Sequence, residues 1–211
     1  MRVFLIAGEA SGDKLGAALM AGLKSLKDVQ FQGVGGPLMQ AEGMNSLFDM
    51  DELSVMGLAE IIPKYPHLRR RLHQTAKAVL EARPDVLITI DSPDFCLRVA
   101  KLVKAKSDIR TVHYVAPSVW AWRPGRARKM AGTIDQVLAL LPFEPPYMEA
   151  AGVACDFVGH PVVSERQANA EEIQEFKARR WIVGLASMIL PGSRLAADKR
   201  LGADFTEVVQ R

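Results

Sequence analysis

The acidic residue Asp91 directly follows residues 86–90, an apolar run typical of a buried strand. A carboxylate held at the end of such a strand is well placed to act as a general base. It suits removal of a proton from a sugar hydroxyl group as the hydroxyl oxygen attacks. Asp94 lies behind the stiff Pro93, just before a predicted helix, and is interpreted as the N-cap of that helix.

A turn of small residues follows the first apolar run and opens a helix, with the sequence Gly8-Glu9-Ala10-Ser11-Gly12-Asp13. Glycines let the backbone approach a ligand, and a helix N-terminus offers free N–H groups. The turn matches neither the dinucleotide fingerprint nor a P-loop. The alternative is structural: Ser11 or Asp13 caps the helix, and Gly12 permits close packing. Both interpretations stay open for the turn alone.

A loop with two tryptophans, at residues 113–123, follows a later strand, and its candidate ligand contacts are Ser118, Trp120, Trp122 and Arg123. Aromatic faces stack on sugar rings or bury acyl chains, and arginine binds phosphate through two N–H groups. Alternatively, one tryptophan belongs to the core and Arg123 is solvated. His160 is a candidate for a phosphate or hydroxyl contact, but a lone histidine before proline is as often a turn residue.

An apolar segment joins a basic cluster between residues 55 and 73. Its candidate membrane contacts are Met56, Leu58, Ile61, Ile62, Arg69, Arg70 and Arg71. Apolar side chains that enter a lipid surface beside arginines that meet head groups suit an anionic membrane. An ordinary amphipathic helix with solvated arginines explains the pattern as well.

The composition of the 211 residues narrows the classes of protein. A hydrophobic fraction of 49% and a net charge of +3 fit a globular protein and do not argue for nucleic-acid binding. The two cysteines lie in apolar runs, which indicates a reducing compartment. No secretory signal and no run of about 20 apolar residues is present, so the sequence predicts a soluble or peripheral protein. The histidines and cysteines lack metal-ligand spacing, and no cofactor or metal is expected.

The predicted elements place these residues at one edge of a sheet. Strands at 3–7, 30–34, 86–90, 111–115, 137–141 and 155–158 alternate with helices, among them 68–82, 95–106 and 127–133. Alternating strands and helices predict an α/β fold with a doubly wound parallel sheet, whose ligands bind at the carboxyl ends of the strands. We expect a Rossmann-like domain at 1–165, a linker at 166–180 and the incomplete beginning of a second domain at 181–211.

Several segments that mostly lie at strand ends carry a resemblance to a known family, and they occur in the family's order. They are 7–13, 33–37, 39–43, 55–57, 90–95, 113–123, 141–144, 157–161 and the Pro-Gly-Ser-Arg turn at 190–194. In combination they resemble the lipid-A-disaccharide synthases over nearly all of residues 1–163. A generic alternative is a half-domain of another glycosyltransferase or of a sugar-nucleotide epimerase. The whole set of matched loops argues against this alternative.

The resemblance implies an inverting, metal-independent glycosyltransferase with two Rossmann-like domains (GT-B). Such an enzyme joins UDP-2,3-diacylglucosamine to lipid X (2,3-diacylglucosamine 1-phosphate), giving the β-1,6-linked disaccharide 1-phosphate and UDP. It works on the cytoplasmic face of the inner membrane of Gram-negative bacteria. Asp91 matches the family's candidate base for the acceptor 6-hydroxyl group, and Arg194 matches a residue on the UDP side.

The resemblance also implies a longer protein. The family continues well past the Pro-Gly-Ser-Arg turn, and after it this chain has Ala196-Ala197-Asp198 where a serine-glutamate pair is usual. We therefore expect a truncated chain that holds the acceptor-side half of the synthase. One hypothesis is the enzyme itself; the other is a fragment that binds the acceptor or a membrane and is inactive alone.

Overall fold

The computed structural model describes residues 1–53 and 58–182, with backbone alone for 58–62. The chain divides into two compact units, Met1–Val163 and Ser164–Arg211. The first unit contains the sheet. In the second, helix α7 (Ala170–Arg179) begins with a capping box between Asn169 and Glu172. Of the predicted second domain at 181–211, residues 183–211, which include Arg194, lie outside the described residues.

Seven parallel strands form one sheet in the order β3-β2-β1-β4-β5-β6-β7. The strands are β1 (Arg2–Ala7), β2 (Gln30–Val34), β3 (Asn45–Ser46), β4 (Val86–Ile90), β5 (Arg110–Tyr114), β6 (Gln136–Ala139) and β7 (Cys155–Phe157). This confirms the predicted doubly wound sheet. The order runs outward from β1 in one direction and from β4 in the other, so the switch point lies between these two strands.

The helices of the first unit connect the strands. They are α1 (Ala10–Leu26), α2 (Pro37–Ala41), α3 (Leu58–Ala82), α4 (Pro93–Lys104), α5 (Gly125–Met130) and α6 (Pro145–Glu149), with 3₁₀ turns at Met50–Leu53 and Pro161–Ser164. Helix α3 begins ten residues before the predicted start at residue 68, with Pro63 and Pro66 inside it. The short α2, α6 and β3 were not predicted. Among the described residues, no helix is long and apolar enough to span a membrane.

The core consists of two clusters of buried side chains that contain alternate residues of β1. Phe4 and Ile6 belong to one cluster, whereas Val3, Leu5 and Ala7 belong to the other. Because helices cover both faces, β1 is apolar from Val3 to Ala7 and does not alternate with polar residues.

Strands β1 and β2 approach closely at Gly33. Its φ is +152°, and a Cβ atom there would lie 1.8 Å from the carbonyl oxygen of Leu5. Glycine is therefore required for this pairing.

Candidate functional site

The turns that follow β1 and β4 meet at the switch point of the sheet. Ser11 Oγ donates a hydrogen bond to Asp91 Oδ2 at 3.5 Å, and Ser92 Oγ donates one to Glu9 Oε1 at 3.4 Å. A Cβ atom on Gly8 would lie 2.7 Å from Ser92 Oγ, so a glycine permits this approach. The structure thus joins two predicted segments that lie about 80 residues apart in the chain.

Left-handed backbone conformations cluster at the carboxyl ends of β4 and β5. The φ angles are +50° at Asp91, +40° at Ser92 and +81° at Val115, none of which is glycine. Such conformations cost on the order of 1–3 kcal/mol each and concentrate at functional sites. Here the Asp91 N–H donates to the Tyr114 carbonyl, and the Val115 N–H donates to the Leu138 carbonyl, both at 3.0 Å. The strained turns are therefore anchored to the neighbouring strands.

The environment of Asp91 makes it a stronger base than an exposed aspartate. Burial raises the pKa of its carboxyl, and the negative charge of Glu9 raises it further. Hydrogen bonds from the Ser92 backbone N–H and the Ser11 hydroxyl act in the opposite direction without cancelling the shift. A carboxylate with a raised pKa accepts a proton more readily, as a general base must.

Asp94 is not the N-cap of α4, so that prediction is wrong. The helix begins at Pro93, two residues before the predicted start at 95, and Ser92 occupies the cap position without a side-chain capping bond. The Asp94 carboxylate pairs with Arg126, whose Nη2 lies 3.0 Å from Oδ1. Proline favours the first position of a helix, which explains the earlier start.

Asp13 is buried and holds the neighbouring loop. Its carboxylate accepts hydrogen bonds from the backbone N–H groups of Gly36, Leu38 and Met39 at 2.9–3.0 Å. It therefore caps α2, and not α1 as the structural alternative proposed; the N-cap residue of α1 is Glu9. These hydrogen bonds explain why a carboxylate is buried at position 13 without invoking a ligand.

The loop after β5 is an exposed aromatic surface. Trp120 is 46% exposed and Trp122 63% exposed, so neither belongs to the core. Trp120 makes an edge-on contact with Phe143 at 5.3 Å between ring centroids, and the guanidinium of Arg123 lies 5.0 Å from the Trp122 ring. Ser118 is exposed, and its carbonyl accepts hydrogen bonds from the N–H groups of Ala121 and Trp122. These rings remain available to a ligand.

His160 follows β7, three strands from β4, or about 14 Å at the usual strand spacing. Its Nδ1 accepts a hydrogen bond from the Val162 N–H at 3.1 Å. This matches the alternative in which His160 is a turn residue. The structure therefore places it apart from Asp91.

The predicted basic cluster divides into two kinds of residue. Arg69 and Arg70 are exposed on α3, whereas Arg71 forms a bidentate pair with Glu52 at 2.6 and 2.7 Å and covers the ring of Phe48 at 4.5 Å. The Arg71 contacts hold the pKa of the Glu52 carboxyl below its ordinary value. Arg71 thus packs against the fold. Met56 and the side chains of Leu58, Ile61 and Ile62 lie outside the described part of the structure.

A buried polar pair, Thr89 and His113, lies under the carboxyl edge and was not predicted. Thr89 Oγ1 is 2.7 Å from His113 Nδ1, and His113 Nε2 has no hydrogen-bond partner within the described part of the chain. Burial, then the charge of Arg126, lowers the pKa of His113 to about 4, which keeps the ring neutral. The position of His113 inside an apolar strand was the available signal. Among residues 1–53 and 58–182, no cluster of His, Cys, Asp or Glu is placed to hold a metal.

The parallel sheet, with the Asp91 carboxylate at its switch point and exposed tryptophans in the loop after β5, defines a Rossmann-like α/β domain. Solved structures share this fold. The UDP-GlcNAc 2-epimerase from Neisseria meningitidis, crystallised with UDP-GlcNAc, matches with a TM-score of 0.57 and 9% identity over 98% of this chain and 53% of its own. A glycosyltransferase from Rickettsia africae matches with a TM-score of 0.50 and 12% identity over 92% of this chain and 52% of its own.

Sequence comparison identifies the family. The lipid-A-disaccharide synthetase family model matches residues 3–211. The lipid-A-disaccharide synthase of Ruegeria pomeroyi is 64% identical over the whole chain and 53% of its own length, and that of Pseudomonas aeruginosa is 46% identical over the whole chain and 56% of its own. The chain belongs to the lipid-A-disaccharide synthase family and spans about half the length of these curated relatives.

Proposed function

We propose that this chain supplies the acceptor side of a lipid-A-disaccharide synthase. The enzyme transfers 2,3-diacylglucosamine from its UDP conjugate to lipid X and releases UDP. Family membership supports the reaction, and the single observation that carries the role of this domain is the placement of Asp91 at the β1/β4 switch point. Ligands of open α/β sheets bind in the crevice at that point.

In this proposal Asp91 removes the proton of the acceptor 6-hydroxyl group as the oxygen attacks the anomeric carbon. The bond from that carbon to the UDP oxygen breaks on the opposite side, so the configuration inverts. Trp120 and Trp122 offer apolar faces to the sugar or its acyl chains, and Arg123 offers N–H donors to a phosphate. Arg194 is proposed to act on the UDP side.

The test measures UDP release from UDP-2,3-diacylglucosamine with lipid X as acceptor. Asp91→Asn should lower the rate by about 10²–10⁴-fold, the usual contribution of a general base. Asp94→Asn is the matched control, because it removes the same charge three residues away at an exposed ion pair. Full rate in Asp91→Asn would refute the proposed role of Asp91.

Binding of lipid X to the 211-residue chain supplies a test that does not depend on turnover. Trp122→Ala and Arg123→Ala should weaken binding, whereas Asp91→Asn should leave it within a few-fold of the wild type. Because the chain has three tryptophans, isothermal titration calorimetry is used in place of tryptophan fluorescence to measure the affinity. Unchanged affinity in both loop variants would remove this loop from the acceptor site.

We further propose that an anionic membrane binds the first half of α3, on the cytoplasmic face of the inner membrane. Arg69 and Arg70 are exposed there and each contributes about 1 kcal/mol near an anionic surface. Met56, Leu58, Ile61 and Ile62 are proposed to enter the lipid, whereas Arg71 is already paired with Glu52.

Cosedimentation with vesicles that contain anionic lipid tests this surface. The double variant Arg69→Glu and Arg70→Glu should lose binding, with Arg71 left in place to protect the fold. Lys77→Glu with Arg83→Glu is the control, since it makes the same change in charge near the other end of α3. Equal binding by both double variants would refute a specific surface.

A further inference from the structure

Glu9 lies beside Asp91 where the turns after β1 and β4 meet. We propose that Glu9 is a positioning residue whose carboxylate accepts a hydrogen bond from Asp91 once Asp91 has taken the proton of the acceptor hydroxyl group. This rests on the proposed role of Asp91 as the base. The contact between the two turns is a property of the structure whatever the substrate is.

Three features hold Glu9 in this position. The Ser92 hydroxyl donates to Glu9 Oε1, and the missing side chain at Gly8 leaves room for Ser92. Glu9 is also the N-cap residue of α1, a helix of 17 residues, and its backbone is extended with φ −160°.

The pKa of the Asp91 carboxyl is raised in this environment, which favours the protonated form of Asp91. Burial raises the pKa of Asp91, and both the charge of Glu9 and a hydrogen bond to Glu9 raise it further. The Cys96 thiol on α4 interacts with both Asp91 and Glu9, and it is neutral because burial raises its pKa.

The step balances without another reactant. The acceptor O–H bond breaks, the oxygen forms a bond to the anomeric carbon, and UDP leaves with the electron pair of the broken glycosidic bond. The hydroxyl proton moves to Asp91, and the new Asp91 O–H donates to the Glu9 carboxylate. Glu9 repels the charged form of Asp91 and stabilises the protonated form, so its contribution grows during proton transfer.

The test follows the side-chain carboxyl signal of Asp91 by ¹³C NMR while the pH of the 211-residue protein is varied. Asp91→Asn identifies the signal. Glu9→Gln should lower the pKa of Asp91, Glu9→Asp should keep it nearer the wild-type value, and Ser11→Ala should raise it. Glu81→Gln is the matched control and should change nothing, because Glu81 lies at the end of α3 that leads into β4, at the opposite edge of the sheet.

Circular dichroism of each variant shows whether the fold is kept. Titration of Asp91 at the same pH in Glu9→Gln and in the wild type overturns the proposal, and it would leave Glu9 as a helix cap alone. A shifted titration together with UDP release that does not depend on Asp91 refutes the proposed function but leaves the pair of carboxyls in place. The two failures are therefore distinguishable.

Discussion

Replacement of Asp13 by asparagine or alanine decides between a structural and a ligand-binding role for this residue. The carboxylate accepts three backbone hydrogen bonds, two at Oδ1 and one at Oδ2. Hydrogen bonds to charged groups contribute roughly 1.5–3 kcal/mol each. Asparagine keeps one acceptor oxygen but turns its NH₂ group towards the Leu38 N–H. We therefore expect Asp13→Asn to lower the free energy of unfolding by about 2–4 kcal/mol.

Alanine removes all three bonds and leaves buried donors without partners. We expect Asp13→Ala to lower the free energy of unfolding by about 4–6 kcal/mol, with relaxation of the loop limiting the loss. That is a large part of the roughly 5–15 kcal/mol that stabilises a typical domain. Urea unfolding followed by circular dichroism measures both variants.

Asp94→Asn is the control for Asp13, because its carboxylate is mostly exposed and pairs with Arg126 at the surface. An exposed ion pair contributes about 1 kcal/mol or less. A structural role for Asp13 is refuted if the free energy of unfolding of Asp13→Asn lies within about 1 kcal/mol of the wild type while the affinity for lipid X is lost. Such a result would show that Asp13 serves a ligand.

Four further predictions concern the stability of the fold. Gly33→Ala should lower the free energy of unfolding by at least about 3 kcal/mol, because the new methyl group meets the Leu5 carbonyl and the φ angle is strained; urea unfolding near the wild-type midpoint would contradict this. His113 stays neutral in the fold with a pKa of about 4, so acidification from pH 6.5 to 4 should cost the wild type about 3 kcal/mol that His113→Gln does not lose. Urea unfolding at several pH values tests this, and an equal loss of stability in the wild type and in His113→Gln would contradict the prediction. Asp91→Asn should unfold at higher urea concentration than the wild type at neutral pH, since the charged carboxylate with its raised pKa destabilises the fold. This gain in stability should vanish below pH 3.8, the ordinary pKa of an aspartate, and a gain that persists there would point to another cause. Arg71→Ala should lower the free energy of unfolding by about 2–3 kcal/mol and Arg70→Ala by less than about 1 kcal/mol, because Arg71 alone of this pair is packed over Phe48 and bonded to Glu52; equal losses would contradict this.

Strands could be predicted from the sequence where both of their faces are buried. The predicted bounds of β4 match the structure, because a strand covered on both faces is a continuous run of mostly apolar residues. Helices were less readable where they are short. Helices α2 and α6 have five residues each, too few to show a periodic apolar face. In α3 the two prolines hid the true start, since proline ordinarily ends a helix.

Contacts between distant segments were not readable at all. The donors to Asp13 lie 23–26 residues further along the chain, and Arg71 is 19 residues from Glu52. From the local sequence alone, each of these side chains could equally well cap a helix or be solvated. Only the tertiary structure shows which partner each side chain has.

Asp91 at the end of a buried strand, the glycine turn at residues 8–13 and the family of the chain were all determined by the sequence, because strand ends and turns depend on local residue type. The tertiary structure decided which turns meet. By placing β1 beside β4, it set Glu9 and Ser11 against Asp91 and Ser92, and it turned Asp13 towards α2. Strand order depends on how helices pack on both faces of the whole sheet, and no local pattern contains that information.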